Sequence, residues 1–348
     1  MTTPVEISPN AVVSSAPASV SAHRGIVVVI TGASSGIGHA TALEFASRGA
    51  RLILAGRDQE TLSPVAMSCM AAGAHGALGV PTDVTDADAM DRLAQAALLA
   101  HGRIDVWVNG AGVGAIGRFD ETPLASHRRV VEANLMGHMN GAYVALRHFR
   151  ERGRGTLINM ISVGGWIPAP YAAAYTASKF GLRGLSEALR AEVSSLPHVH
   201  VCDVAPTFVN SPGLSHGANY TGSNIQPRIP LVDPRRVASA VVSLIDRPRA
   251  VTWLGAGAGP GRLAHVLAPN WVGATMERVT RWALRRAKPA ARSDGNLFSP
   301  SRGTAIDGGQ RDATHSAAAN LVALGLVGLA IGLWVGSQRS ERQRTTGR

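Results

Sequence analysis

The stretch "VVVITGASSGIGHA" (27–40) joins a run of β-branched apolar residues to a segment of helical character. Its glycines, Gly32, Gly36 and Gly38, are spaced as in loops that bind dinucleotides. Gly32 would allow a sharp turn, Gly36 a close approach of the backbone to a pyrophosphate, and Gly38 close packing of helix on strand. The helix N-terminus would offer unpaired N–H groups to the phosphates. A glycine triplet alone is weak evidence, but its position after an apolar strand favours a nucleotide-binding loop.

Further apolar runs of strand length recur along the chain, and segments with apolar residues three and four apart, such as 39–50 and 181–193, separate them. Near-continuous apolar runs are typical of strands buried on both faces of a parallel sheet. The alternation predicts a doubly wound α/β fold. The predicted strands lie within 26–32, 51–57, 104–112, 156–165, 199–206 and 251–255.

The composition of the 348 residues, 45% hydrophobic and 16% charged, excludes a mainly disordered chain. The two cysteines, Cys69 and Cys202, are far apart and have no metal-ligand spacing. We therefore expect neither a disulfide framework nor a metal site, and the cysteine content fits a reducing compartment.

The formal net charge of +11 is distributed unevenly, because arginines are concentrated in 278–292 and 337–348, on either side of an apolar stretch. Basic flanks around an apolar stretch favour a membrane surface over nucleic acid as the partner. The stretch 317–336 carries one polar side chain, Asn320. As a helix it would be about 30 Å long, the thickness of a bilayer core. The alternative is a buried helix in an oligomer core.

These observations predict an anchored protein whose main domain faces the cytoplasm, since the N-terminal stretch is a poor signal peptide. The arginines after 336 would also favour the cytoplasm, so the orientation of that tail stays open. Glycines 328, 332 and 336 have a spacing that permits helix pairing, or they reflect a glycine-rich span. The predicted regions are a disordered N-terminal tail (1–24), a Rossmann domain (25–257), a basic extension (258–292) with an amphipathic helix over 270–288, a linker (293–315), a transmembrane helix (316–336) and a basic tail (337–348).

The end of the second predicted strand, "LILAGRD" (52–58), bears on cofactor choice. An acidic residue there would bind the ribose 2′-hydroxyl of NAD, whereas an arginine accommodates the 2′-phosphate of NADP. Gly56 and Arg57 occupy this position, and Asp58 suits a helix N-cap. The sequence therefore favours NADP(H), with NAD(H) still possible, although Arg57 could also be a solvated residue at a strand end.

Seven motifs occur in a fixed order over roughly residues 25 to 255. They are "TGASSGIG" (31–38), "TDV" (82–84), "NGAG" (109–112), "EANLMG" (132–137), "MISVGG" (160–165), "YTASK" (175–179) and "APTFVNSPG" (205–213). With these motifs the sequence resembles the short-chain dehydrogenase/reductase family. The resemblance implies a seven-stranded parallel Rossmann sheet and hydride transfer between nicotinamide and a carbonyl or alcohol carbon.

The resemblance implies that Tyr175 is the general acid in ketone reduction and the base in alcohol oxidation. Lys179 lies one helical turn later, and its positive charge and that of oxidised nicotinamide would together lower the pKa of the phenol. Lys179 would also bind the nicotinamide ribose. Ser162 would hydrogen-bond the substrate oxygen, and Asn134 would hold a water in a proton relay. Each residue alone has an ordinary structural interpretation, as a helical pair, a strand-end serine or a cap.

The resemblance also implies a set of cofactor contacts. Gly110 departs from the commoner family pattern, in which a second asparagine follows Asn109, and this puts one stabilising contact in doubt. Thr207 replaces a frequent glycine, so the nicotinamide amide contact would come from the backbone. The implied cofactor-binding residues are Gly32, Ser34, Ser35, Gly36, Ile37, Gly38, Arg57, Asp83, Val84, Asn109, Ala111, Gly112, Tyr175, Lys179, Pro206, Thr207 and Val209.

The favoured function is an NADP(H)-dependent oxidoreductase at a membrane, acting on a small hydrophobic ketone or alcohol and forming a homo-oligomer. Trp166, Tyr171 and the loop after Pro206 either line the substrate pocket or serve packing. The alternative is a catalytically silent NADP(H)-binding sensor or scaffold at the membrane. The intact set of Asn134, Ser162, Tyr175 and Lys179 disfavours this alternative, because a scaffold has no chemical need of all four.

Overall fold

The computed structural model describes residues 24–224, 231–255 and 258–309, and in them a seven-stranded sheet forms the centre of the molecule. All neighbouring strands are parallel, in the order β7-β6-β5-β4-β1-β2-β3. The predicted doubly wound parallel sheet is confirmed. The strands are β1 (Val27–Thr31), β2 (Arg51–Gly56), β3 (Gly76–Pro81), β4 (Val106–Asn109), β5 (Gly155–Met160), β6 (Val199–Pro206) and β7 (Val251–Leu254).

Helices cover both faces of the sheet, so the apolar strands are buried from two sides. Along β1, Val28 and Ile30 join one core cluster, while Val29 joins the cluster on the opposite face. Successive side chains of a strand point to opposite faces, which is why both faces need apolar residues. The helices are α1 (Gly36–Ala46), α2 (Gln59–Ala71), α3 (Ala87–His101), α4 (Leu124–Val131), α5 (Gly137–Arg152), α6 (Ala173–Glu192), α7 (Gly213–His216), α8 (Pro234–Asp246), α9 (Ala258–Leu267) and α10 (Pro269–Arg286).

Strand β3 was not among the predicted strands. Its sequence "GALGVP" contains two glycines and a proline, and four of its six residues are only partly buried. It lies at the edge of the sheet beyond β2. An edge strand buries less apolar surface, so its sequence lacks the continuous apolar run that marks the central strands.

The two cysteine thiols are free and buried. Cys69 lies on α2 and Cys202 on β6. Burial raises the pKa of Cys69 to about 12 and that of Cys202 to about 11.

The basic extension forms two helices, α9 and α10, and the second closely matches the predicted helix over 270–288. The guanidinium carbon of Arg262 lies 5.3 Å from the centre of the Trp253 ring, which joins α9 to β7. A short antiparallel pairing of Lys288–Pro289 with Ser223–Asn224 follows α10. The extension is therefore in contact with the Rossmann domain.

The interpretation of residues 293–315 as a linker is wrong for residues 293–309, which pack along the carboxyl edge of the sheet. Backbone hydrogen bonds join Ser293 to Asn219 in both directions, and the Gly308 amide donates to the Asn210 carbonyl. The glycine-rich, polar composition reflects close backbone contact here. A Cβ on Gly308 would lie 2.6 Å from the carbonyl oxygen of Ser211.

Among the described residues, no helix is both long and apolar enough to cross a bilayer. The predicted transmembrane helix (316–336) and basic tail (337–348) lie outside the described residues, as does the N-terminal tail up to residue 23.

Candidate active site

The glycine loop places the start of α1 against the ends of β1 and β4. Gly32 has a φ of 69°, and a Cβ there would lie 2.8 Å from the backbone of Ala111. A Cβ on Gly38 would lie 2.0 Å from the Gly32 carbonyl oxygen, so helix and strand approach as closely as predicted for this loop. The Thr31 hydroxyl accepts hydrogen bonds from the Gly110 and Ala111 amides at 3.1 and 3.3 Å. The loops after β1 and β4 thereby form one concave wall.

The Gly110 departure has a local explanation, because a Cβ at this position would lie 2.7 Å from the Thr31 carbonyl oxygen. The side chain of Asn109 points into the core. It accepts a hydrogen bond from the Trp107 indole at 2.8 Å and donates to the His138 carbonyl and to Asn159, both at 3.0 Å. The side chain of Asn109 therefore fixes the base of the loop, and the predicted position of this loop beside the adenosine stays a prediction.

Asn134 lies in a π-helical turn, Glu132–Met136, between α4 and α5, and it is fully buried. Its amide accepts a hydrogen bond from the Val113 N–H at 2.8 Å and donates to the Val113 carbonyl at 2.9 Å. It also donates to the Ser178 hydroxyl at 3.3 Å. The side chain thus ties the loop after β4 to α6. The predicted water relay through Asn134 stays a prediction.

Ser162 follows β5 and adopts an uncommon backbone conformation, with φ 155° and ψ 160°. Its Oγ accepts a hydrogen bond from the Gly164 amide at 3.1 Å, and its hydroxyl is close enough to the phenol of Tyr175 to lower the pKa of that group. Strained backbone is found preferentially at active sites, where the surrounding structure holds it. The Ser162 and Tyr175 hydroxyl groups therefore lie close together at the carboxyl edge of the sheet.

Tyr175 and Lys179 lie on the same face of α6. The Lys179 Nζ donates to the Met160 carbonyl at 2.9 Å and lies 5.8 Å from the centre of the Tyr175 ring. Burial lowers the pKa of Lys179 to about 7. Burial also raises the pKa of Tyr175, and the hydrogen bond to Ser162 opposes this only in part. The expectation that Lys179, together with oxidised nicotinamide, lowers the tyrosine pKa stays a prediction.

Arg57 and Arg129 meet beyond the end of β2. Arg57 donates to the carbonyl oxygen of Leu297 at 3.2 Å, and Arg129 donates to the same oxygen at 3.1 Å. Arg129 also donates to the Asp83 carboxylate at 2.6 Å. Burial raises the pKa of Asp83, but hydrogen bonds from Arg129 and Thr85 outweigh this and hold it below its usual value. Two guanidinium groups that converge on one acceptor form a site suited to an anion.

The sequence interpretation missed Arg129. Its signal is the basic pair in "HRRVVEANLMG" (127–137), which places an arginine on the helix that leads to Asn134. Leu297 was missed as well, because nothing local in a glycine-rich polar segment shows that it folds back to this groove.

The other implied cofactor residues line or support the same edge. A Cβ on Gly112 would lie 3.2 Å from the Asn134 Oδ1. Val84 is buried where Gly137 passes closely, since a Cβ on Gly137 would lie 2.5 Å from a Val84 methyl group. Ser34, Ser35 and Ile37 are partly buried in the glycine loop.

The segment after β6 forms the opposite wall. The Ser162 hydroxyl lies 3.5 Å from the Pro206 carbonyl oxygen, and the Thr207 amide donates to Leu254. Val209 is buried and pairs with Val232. These residues bring the loop after Pro206 close to the catalytic set.

The two aromatic pocket candidates differ. Trp166 is buried against Trp253, with ring centres 4.4 Å apart, so it serves packing. Tyr171 is partly exposed and has a φ of 66°. Its carbonyl oxygen accepts a hydrogen bond from the Gly117 amide. It remains a candidate for the pocket wall.

The residues present fit a nicotinamide dinucleotide. Gly32 and Gly38 leave no space for a Cβ, Gly36 has a φ of 54° that favours glycine, and two arginines lie beyond β2. The catalytic set lies at the same edge, after β5 and on α6. In the part of the chain that the structure describes, no cluster of three or more His, Cys, Asp or Glu residues is arranged to hold a metal ion.

Comparison with known proteins agrees with this geometry. Residues 26–219 match the short chain dehydrogenase family. The chain is 30% identical over 269 residues to the uncharacterized oxidoreductase YxnA of Bacillus subtilis, covering 76% of this chain and 75% of that protein. It is 38% identical over 188 residues to 11-beta-hydroxysteroid dehydrogenase A of Arachis hypogaea, covering 54% of this chain and 53% of that protein.

Solved structures give the same result. A metagenomic short-chain oxidoreductase in complex with NADP is 32% identical, with a TM-score of 0.57, covering 66% of this chain and 97% of that one. A short-chain dehydrogenase/reductase from Burkholderia phymatum in complex with NAD is 26% identical, with a TM-score of 0.61, covering 78% of this chain and 98% of that one. The chain therefore belongs to the short-chain dehydrogenase family and is an NAD(P)-dependent oxidoreductase.

Proposed function

We propose that the protein is an NADP(H)-dependent reductase or dehydrogenase of a hydrophobic carbonyl or alcohol compound. The observation that carries the cofactor preference is the convergence of Arg57 and Arg129 on one oxygen atom. Carbonyl oxygens are weaker acceptors for guanidinium than a phosphate dianion, so a 2′-phosphate would bind more strongly at this position. NADH has no group there that uses the two cations.

The catalytic roles follow from the groups at the edge of the sheet. When bound, the cofactor supplies or accepts a hydride. In reduction, Tyr175 donates its phenolic proton to the substrate oxygen as the carbonyl carbon gains the hydride, and Ser162 donates a hydrogen bond to that oxygen. Lys179 and Asn134 hold α6 and the neighbouring loop in position.

Apolar side chains near Tyr175 support a hydrophobic substrate. Tyr175 and Val113 both pack against a cluster that contains Ala115 and Tyr220. A relative named 11-beta-hydroxysteroid dehydrogenase A supports the same substrate class, because its name denotes a large apolar alcohol.

We also propose that the protein is anchored in a membrane by 316–336, with its catalytic domain in the cytoplasm. The apolar character of 317–336 and its basic flanks support this. Helix α10 adds exposed Val279 and Trp282, with Arg286 placed 4.3 Å over the Trp282 ring. Such a basic amphipathic helix suits an anionic bilayer surface. Homo-oligomerisation stays a prediction.

The cofactor proposal is tested by equilibrium binding of NADPH and NADH to the wild type and to Arg57→Ala. Loss of a charge-assisted contact worth roughly 1.5 to 3 kcal/mol should lower the preference for NADPH over NADH by about 10- to 150-fold. Arg92→Ala is the matched control, since Arg92 is an exposed arginine paired with Asp86. An unchanged NADPH-to-NADH ratio in Arg57→Ala would contradict the preference.

The reaction is tested by following nicotinamide absorbance with a panel of apolar ketones and alcohols. Fractionation of the full chain beside a chain ending near residue 315 tests the anchor. The full chain should pellet with membranes and the shorter chain should not. A full chain that stays soluble without detergent, or a short chain that still pellets, would contradict the assignment of the anchor.

A further inference from the structure

Residues 293–309, here called the strap, cross the groove that the glycine loop and the arginines define. Arg57 donates to the carbonyl oxygens of Asn296, Leu297 and Ser299 at 2.7, 3.2 and 3.0 Å. At the other end, the Gly36 amide donates to the carbonyl oxygen of Ala305 at 2.9 Å. Arg57 and the Gly36 amide are thus both engaged by oxygen atoms of the strap.

We propose that the strap is an intrachain competitor of the cofactor, which must leave the groove before NADP(H) binds. The inference rests on the proposed NADP(H) site. The carbonyl oxygens of the strap accept hydrogen bonds from Arg57 and from the Gly36 amide, the donors that would bind the 2′-phosphate and the pyrophosphate. One donor cannot serve both sets of acceptors at full strength, so strap and cofactor exclude each other.

The strap is seated by specific contacts. Leu297 is fully buried in the cluster with Val130 and Tyr220. The Tyr220 hydroxyl donates to Asp294 at 2.6 Å. These contacts hold the first half of the strap between the arginines and the catalytic helix.

The second half is fixed as well. The Asp307 carboxylate accepts two hydrogen bonds from Arg235, at 2.8 and 2.9 Å. The Thr304 carbonyl oxygen lies 2.7 Å from Nδ1 of the buried His39 on α1. Both ends of the strap therefore have side-chain partners on the Rossmann domain, and the seated strap is a defined state of the molecule.

When a segment of the chain competes with a ligand, the apparent affinity equals the affinity of the open groove multiplied by the fraction of molecules in which the groove is open. If the strap is seated nine-tenths of the time, its release should strengthen binding by about tenfold. The factor should be the same for NADPH and NADH, since both need the open groove. This distinguishes release of the strap from loss of Arg57, which changes the ratio of the two affinities.

The binding experiment uses the full chain in four forms: wild type, Leu297→Asp, Gly308→Val and Phe298→Asp. Leu297→Asp puts a charge in the buried cluster, while Phe298→Asp adds the same charge at a neighbouring side chain that is 51% exposed. Gly308→Val adds no charge but forces the strap away from the Ser211 backbone. We expect about tenfold lower dissociation constants for both cofactors in Leu297→Asp and Gly308→Val, and wild-type values in Phe298→Asp.

Hydrogen exchange on the wild type gives a second readout, independent of folding defects in the variants. The amides of Ser293, Asn296 and Gly308 donate to Asn219, His216 and Asn210 while the strap is seated. Saturating NADPH should speed their exchange. Slower exchange would show that the strap closes over bound cofactor, and it would overturn the competition.

The outcomes separate this inference from the proposed function. If every form binds NADPH with one affinity, the competition is overturned while the cofactor site stands. If no form binds NADPH or NADH, both the competition and the proposed function are overturned. Leu297→Asp or Gly308→Val binding more weakly than wild type, with an unchanged melting temperature, would also overturn the competition.

Discussion

Lys179 and Tyr175 are neighbours on α6, yet the ammonium group of Lys179 donates to the Met160 carbonyl at 2.9 Å and lies 5.8 Å from the centre of the tyrosine ring. The lysine therefore stabilises β5 against α6 directly and influences the phenol only through space. Burial raises the pKa of the phenol. Tyr175 is consequently protonated at neutral pH, the form that reduction requires.

The two directions of the reaction should differ in their pH dependence. Between pH 7.5 and 9, above the pKa of about 7 for Lys179, only Tyr175 changes the chemistry of this pair. Oxidation needs the phenolate, whose fraction rises about tenfold per pH unit below its pKa. Oxidation of the alcohol should therefore quicken by roughly 10- to 30-fold over this range, while reduction of the ketone should change little. Initial rates with saturating cofactor measure both, and a reduction rate that collapses by pH 8 would contradict the raised pKa.

Tyr175→Phe should lower turnover by a factor on the order of 100 or more, because the proton donor is lost. The dissociation constant for NADPH should stay within about twofold, since the phosphate contacts lie elsewhere. Tyr143→Phe is the matched control, because Tyr143 is 62% exposed on α5. Retention of most activity by Tyr175→Phe would remove the tyrosine from the mechanism.

The buried ammonium of Lys179 should make stability depend on pH. Its pKa is about 7 in the folded chain and near 10.5 when exposed, so the unfolded chain binds more protons between these values. The free energy of unfolding therefore increases as pH rises above 7, and it decreases as pH falls towards 7, because protonation of this lysine favours the unfolded chain. Lys179→Met removes the effect. Its free energy of unfolding should exceed that of the wild type at pH 7, and the excess should shrink by about 1 to 2 kcal/mol at pH 8.5.

Denaturant unfolding of both proteins at each pH measures that difference, and ionisation of other groups cancels in the comparison. An excess that does not vary with pH would show that Lys179 keeps an ordinary pKa in the folded chain.

Gly38→Ala should lower the free energy of unfolding by about 3 kcal/mol, because its methyl group would lie 2.0 Å from the Gly32 carbonyl oxygen. Gly184→Ala is the matched helical control, since a Cβ at Gly184 meets no atom within 4 Å. That substitution should stabilise the protein by roughly 0.5 to 1 kcal/mol. Equal melting temperatures for the two variants would contradict the close packing of α1 on β1.

The sequence was sufficient for the central sheet because its strands are buried on both faces, which leaves a continuous apolar signal in residues such as Val27–Thr31. It was insufficient for β3, where edge position relaxes that demand. The packing of the strap was not predicted for a different reason. Its contacts with Arg57 use main-chain carbonyl oxygens, which every residue carries, so no side-chain pattern distinguishes it from a linker.

The site shows the same division. Tyr175 and Ser162 could be located because the motifs "YTASK" and "MISVGG" carry the family resemblance. The pKa directions could not, because they depend on how much of each group is buried by distant segments. Asn109 illustrates the limit, since its partners Trp107, His138 and Asn159 come from β4, α5 and β5.

The two buried thiols can be used to measure unfolding of the whole domain. A thiol must lose its proton before an alkylating reagent can modify it. Cys69 and Cys202 are both buried in one core cluster, and burial raises the pKa of each thiol. Departure of the strap uncovers neither α2 nor β6, so alkylation at neutral pH should proceed at the rate of whole-domain unfolding. Modification kinetics can therefore separate a molecule that has merely opened its groove from one that has lost its fold.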